Sequence, residues 1–231
     1  MKKIVFDTGP IISLTINNLL WILDGLKEKF NGEFYITPAV YDELINKPLN
    51  TKKYKLEALQ VLPFITKGTL KVYDNPETKR TEEEIEFYAN NSFQIHDKYV
   101  NIVHKGEIEA VASAIFLNAD AIGIDERTTR HLIEMPERIA EHMERKIHTK
   151  VTINHKNLDI VKDKIKHLKV IRSIELVTIA FEKGLLEPYL ESDKVIPNLR
   201  KAVLEGALWG VKLNGCSVKE QEIKHILRTV R

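Results

Sequence analysis

Four carboxylates in this 231-residue chain stand where a fold could gather them. Asp7 closes the run "KIVF" and hands over to Thr8-Gly9-Pro10, and Asp125 closes the run "AIGI". A short β-rich run that stops at an acid holds its carboxylate at the carboxyl end of a buried strand. Glu43 lies in the first turns of the helix after a second such strand, and Glu107 opens a helix directly after Gly106, with Glu109 two residues on. Residues two apart on a helix do not share a face, so only one of that pair turns toward the others. Carboxylates gathered at one edge repel one another unless a cation sits among them. Mg²⁺ or Mn²⁺, hard ions that take oxygen donors, are the matching counterions. Beside a phosphodiester such an ion activates water and stabilises the leaving oxygen. No histidine, lysine or serine is expected at that edge as a competing nucleophile.

Plainer readings exist for each acid. Asp7 can be a helix N-cap and nothing more, and Glu43 a solvated acid favoured by a helix N-terminus. Asp120 precedes its strand and reads as a turn residue. The string "DTG" also occurs in aspartic proteases, but that chemistry needs two copies and the chain has one.

The elements that must position these acids follow from pattern. "KIVF", "EFYI", "TLKVYD", "AIGI" and "HLKVIR" read as strands. Residues 10–30 read as two short helices. Thr37 and Pro38 cap and open the helix "AVYDELI". Residues 51–66, 81–104 and 107–117 are expected to be helical, as is the tail: "IELVTIAFEKGLL", "VIPNLRKAVLEGAL" and "KEQEIKHIL". Strands alternating with helices predict a parallel sheet with right-handed crossovers and a site at the strands' carboxyl ends. A hairpin, "KVTINHKNLDIV", is expected within 136–167.

The net charge of +2 hides an asymmetry: residues 1–144 hold 17 Lys/Arg against 23 Asp/Glu, and residues 145–231 hold 18 against 10. Residues 145–172 are the most basic, with nine Lys/Arg and two Asp. This is either a solvated face or an arm for a polyanion backbone. Lys146, Lys150 and Lys156, with Arg127 and Arg130 just after Asp125, are the candidate nucleic-acid contacts. The single cysteine, Cys216, excludes an internal disulfide and fits a reducing cytoplasm. The chain opens on a strand pattern and not on a charged-then-apolar leader. No apolar run approaches the ~20 residues of a membrane span, so no membrane partner is expected.

The order "IVFDTGPIISL", "ITPAVYDEL", "GEIEAVASAIFLNADAIGID" resembles PIN-domain nucleases. The "GEIEA" and "IDER" forms are similar to a branch of uncharacterised prokaryotic members. The separation of Glu107 and Asp125, 18 residues, matches that family's helix–strand unit and favours Glu107 over Glu109. The resemblance implies an α/β/α sandwich around a parallel sheet: a nuclease core over 1–135, a basic insertion over 136–167, and a last strand with a helical C-terminal part over 168–231. It implies that Asp7, Glu43, Glu107 and Asp125 bind Mg²⁺ or Mn²⁺, with Thr8 and Glu109 in support. It implies RNA as substrate, an antitoxin protein as partner in some members, and a homodimer. One departure stands out: many members carry an acid two positions after the last Asp, where this chain has Arg127. The competing expectation is a non-catalytic RNA- or partner-binding protein on the same scaffold.

Overall fold

The computed structural model describes residues 1–191 and 197–230. The chain opens with β1 (Lys2–Phe6), α1 (Thr8–Ile16), α2 (Ile22–Phe30) and β2 (Gly32–Ile36). After β2 comes α3 (Pro38–Tyr41), a π-helical turn over Asp42–Asn46, and α4 (Lys47–Leu49). Next are α5 (Lys55–Thr66), β3 (Leu70–Val72), α6 (Thr78–Asn90), β4 (Phe93–Ile95) and β5 (Lys98–Tyr99). The elements α7 (Lys105–Phe116), β6 (Ala121–Gly123), α8 (Arg127–Glu134), α9 (Glu137–Ile147) and β7 (Thr152–Ile153) follow. The chain continues through α10 (His155–Ile165), β8 (Val170–Ile171), α11 (Ser173–Glu182), α12 (Leu199–Leu213) and α13 (Glu220–Thr229).

The main sheet has five strands in the order β3-β2-β1-β6-β8, and every pairing in it is parallel. Alternation along β1 fixes its two faces: Ile4 and Phe6 enter one core while Val5 enters the other. Both faces are therefore covered, as a parallel sheet requires. The Ile4/Phe6 face packs against α1, α2, α5, α11 and α12. The Val5 face packs against α6, α7, α8, α9 and α10. This is the expected α/β/α sandwich.

The topology itself selects where a site can form. From β1 the chain moves outward through β2 to β3, then returns to the other side of β1 for β6 and β8. The strand order reverses between β1 and β6, and the crevice of an open parallel sheet lies at the carboxyl ends beside that reversal. Asp7 follows β1 and Asp125 lies two residues past β6. The Asp7 backbone N–H donates to the Gly123 carbonyl at 2.9 Å, which locks the two strand ends side by side. Gly123 permits this approach: a Cβ there would lie 2.2 Å from Cδ1 of the buried Phe6 ring.

Three expectations are corrected. Helix does not run through 81–104: α6 ends at Asn90, and β4 and β5 form an antiparallel hairpin instead. His96 and Asp97 at its tip adopt φ of 46° and 60°, the paired left-handed conformation of a two-residue hairpin turn. The strand-forming "FQI" and that turn outweigh the helical spacing. "KVTINHKNLDIV" is not a hairpin: Thr152–Ile153 pairs antiparallel with β4, and Asn154 caps α10 through its side chain. Of the helix expected over 195–208, residues 195 and 196 lie outside the described residues, and α12 begins at Leu199. Residues 136–167 are chiefly two helices whose apolar faces, Ile139 and Ala140 from α9 and Leu158, Val161 and Ile165 from α10, join the Val5-side core.

Candidate active site

Asp7 caps α1, its carboxylate accepting the Gly9 N–H at a long 3.5 Å. The N-cap and site readings are thus compatible. The side chain is only 8% exposed. Burial pushes its carboxyl up to about 7; the Thr8 and Gly9 N–H groups oppose the shift, while Glu107 and Glu43 add to it. Buried carboxylates normally have a cation or several donors nearby. Asp7 has the Thr8 and Gly9 N–H groups, but also two further acids and, among the described residues, no cation beside it.

Glu43 reaches this edge from the π-helical turn, where its Oε2 accepts the Thr8 hydroxyl at 2.8 Å. The extra residue in such a turn redirects the side chains around it. Lys47 Nζ is 3.9 Å from Oε1. Gly106 lies beside Glu43: a Cβ there would meet Glu43 Oε1 at 3.5 Å, an ordinary contact distance. Glu107 follows immediately, and its Oε2 accepts the His104 N–H at 2.9 Å in a capping box at the start of α7. Burial raises its carboxyl above the ordinary range, and Glu126 adds to the rise. The Thr129 hydroxyl is fully buried and without a hydrogen-bond partner.

Asp125 is 2% exposed and each oxygen is engaged. Oδ2 accepts the Ser13 hydroxyl at 2.8 Å, and Oδ1 accepts the Ser173 backbone N–H at 2.7 Å. That N–H belongs to the first residue of α11 and has no intrahelical partner, so Asp125 ties the end of β6 to a helix start. Gly9 bridges the two strand-ending acids: a Cβ there would be 3.2 Å from Asp125 Cβ and 3.7 Å from Asp7 Oδ2.

The structure therefore brings Asp7, Glu43, Glu107 and Asp125 to one edge, with Thr8 among them. It leaves Glu109 out. That carboxylate turns to the start of α3 and accepts the Ala39 N–H at 3.1 Å. Burial raises its carboxyl, followed by the influence of Glu82 and not of Asp7. Among the described residues, no three His, Cys, Asp or Glu side chains lie close enough together to hold a metal ion.

Sequence reasoning missed several groups. Ser13 and Ser173 stand at an edge where no serine was expected, yet as donors to Asp125 and not as nucleophiles. A serine among the buried Pro10, Ile11 and Leu14 of α1 was the available hint. Glu126 joins the edge by capping α8, accepting the Thr129 N–H at 2.8 Å. Ser217, which nothing in the sequence pointed to, donates its backbone N–H to the Asp125 carbonyl at 3.1 Å and accepts from Arg127 Nε at 3.0 Å. Among the expected nucleic-acid contacts, Arg127 and Lys146 line a cavity of about 420 Å³ that Asp125 also borders. Arg130 lies half-buried, its Nε without a partner. Lys150 and Lys156 are exposed and do not line that cavity.

Removing the hydroxyl in Ser13→Ala leaves a buried carboxylate oxygen short of a donor, which typically costs about 1–3 kcal/mol. The urea midpoint of this variant should fall accordingly; an unchanged midpoint would show that Asp125 does not depend on Ser13.

A family model described as a PIN domain matches residues 3–137. No curated protein and no solved structure matches the chain.

Proposed function

The chain belongs to the PIN-domain family, and from this premise we propose that it is a Mg²⁺- or Mn²⁺-dependent nuclease that hydrolyses phosphodiesters, single-stranded RNA foremost. The observation that carries this reading is Asp7: a buried carboxyl held up to about 7, with Glu107 and Glu43 beside it as further acids. An arrangement this unfavourable for the protein alone has a use if a divalent cation completes it. The donor set fits such an ion in kind, since all four groups are hard oxygen donors. Asp7, Glu43, Glu107 and Asp125 are the residues that would hold it, and their carboxylates would have to draw closer than they stand here to do so. When bound, it would supply an activated water and charge stabilisation for the leaving oxygen.

The remaining roles belong to the chain. Ser13 and the Ser173 N–H fix the Asp125 carboxylate, and Thr8 aims Glu43. Gly9 allows the close approach of Asp7 and Asp125. With its carboxyl held up to about 7, Asp7 would carry a proton part of the time at neutral pH, and a bound cation would favour the charged form.

One observation favours the second reading, a non-catalytic RNA-binding protein on the same scaffold: Glu107 and Asp125 already spend oxygens on backbone N–H groups. Chelation separates the two. A nuclease of this kind cuts single-stranded RNA in Mn²⁺, stops in excess EDTA, and resumes when Mn²⁺ is restored. RNA that is bound but left whole in Mn²⁺ would select the second reading.

A further inference from the structure

Five of the nine cations in the basic segment expected to grip a polyanion are paired within the protein. Lys162 pairs with Glu137, Lys164 with Glu84 at 2.6 Å, Lys166 with Asp163 at 3.2 Å, and Arg172 with Glu175 and Glu222. Lys150, Lys156 and Lys169 of that segment have no such partner among the described residues, and neither does a cluster that joins its Lys146 to arginines before it. Among the described residues, Arg127, Arg130, Arg138 and Lys146 have no carboxylate within ion-pair distance, although Asp and Glu are plentiful in the chain.

Arg127 and Lys146 meet in the cavity of about 420 Å³, together with His142, Met143, Gly215 and Ser217. Three elements build it: the start of α8, one side of α9, and the turn after α12. Gly215 turns with φ of +123°, a conformation other residues rarely adopt. Arg127 is held across the cavity wall by its bond to Ser217 Oγ. Behind this wall positive charge accumulates: His131 is pushed below its ordinary value by burial first, then by Arg130, Arg127, His142 and Arg138. Asp125 and Glu126 also border the cavity. Both Asp125 oxygens are committed, to Ser13 and the Ser173 N–H, and Glu126 spends Oε2 on the Thr129 N–H.

We infer that this cavity seats a backbone phosphate of single-stranded nucleic acid next to the acidic edge, with Arg127 and Lys146 as its charged contacts and His142 and Ser217 as hydrogen-bonding ones. The inference rests on the nuclease reading, and it adds where the strand runs. An acidic pocket repels a polyanion, so the neighbouring phosphate must be held by cations within one or two nucleotides of it. The cavity borders Asp125 directly, whereas Lys150 and Lys156 do not line it. Nearly all of α9 and the whole 215–217 turn lie beyond residues 3–137, the stretch the family model matches.

The test is fluorescence anisotropy of the full chain with a labelled single-stranded RNA of about ten nucleotides, in EDTA so that nothing is cut, across a KCl series. Wild type, R127Q/K146Q, K150Q/K156Q and D7N are compared, each after its melting temperature confirms folding. We expect R127Q/K146Q to bind at least about tenfold more weakly, with the log–log salt slope reduced by about 1.4 for two lost phosphate contacts on a single strand. K150Q/K156Q should stay within about twofold of wild type, and D7N should bind at least as well as wild type. Equal binding and slope for wild type and R127Q/K146Q would overturn the inference, as would a loss confined to K150Q/K156Q, or no binding by wild type. Cleavage by wild type in Mn²⁺, scored separately, keeps a failure here distinct from a failure of the nuclease reading.

Discussion

Asp7→Asn lowers Mn²⁺-dependent RNA cleavage by more than about a hundredfold, because groups that only support a metal ligand already cost 10- to 100-fold when removed. The substitution is chosen to spare the fold. Asparagine is nearly isosteric and an equally good N-cap, so the bond from the Gly9 N–H is kept. What disappears is the charge. Glu109→Gln supplies the contrast from the same helix as Glu107: its carboxylate serves the Ala39 N–H and not the acidic edge, so cleavage should stay within a few-fold of wild type. Cleavage unchanged in Asp7→Asn would assign the activity to another group or another protein. Equal losses in both variants would mean that helix packing and not the edge is being measured.

Much of this edge was legible in the sequence because it rests on local grammar. Strand-ending acids at Asp7 and Asp125 need only a buried β-run followed by a break. Their adjacency follows from the strand order, which reverses between β1 and β6. The Thr37-Pro38 helix start is equally local, and Thr37 Oγ1 does accept the Val40 N–H at 3.3 Å. What failed depended on partners far along the chain. Ser173 reaches Asp125 across 48 residues and Ser13 across 112, and no spacing rule spans such distances. The hairpin of β4 and β5 was misread because its two-residue turn carries no Gly or Asn to mark it, and the strand that pairs with β4 on its other side, β7, lies some 60 residues later. The basic segment misled for a related reason. Composition counts charges, but Glu84, Glu137, Glu175 and Glu222, all from outside that segment, neutralise several of them. Of the cations left without partners, Lys146 lies within that segment and lines a cavity with Arg127 from the start of α8.

The acid edge also predicts a stability effect whose sign reverses with metal. In metal-free protein the Asp7 carboxyl titrates near 7 when folded, against 3.8 as an ordinary aspartate. Its contribution is therefore fully present below the unfolded value and is lost as pH rises toward the folded one. A shift of this size corresponds to about 4 kcal/mol at most. Glu107 and Glu109 shift in the same direction but are present in both proteins, so they largely cancel in a comparison with Asp7→Asn. In EDTA the two proteins should melt alike near pH 4. By pH 8 the variant should be the more stable, by roughly 8–16 °C at the upper limit for a chain of this size. Mn²⁺ then works in the opposite direction. Binding to the folded state adds about 2.7 kcal/mol at a hundredfold excess over Kd, and it gives the buried charge the counterion it lacks. Wild type should gain melting temperature with Mn²⁺ and the variant should gain little, so that the advantage of Asp7→Asn shrinks or inverts. Parallel pH curves in EDTA would mean that Asp7 is not the strained group. An equal Mn²⁺ gain in both proteins would place the cation away from this edge. Only a site whose negative charge is costly until an ion arrives produces both halves of the pattern, and the same cost explains why its acids are held so firmly by Thr8, Ser13 and Ser173.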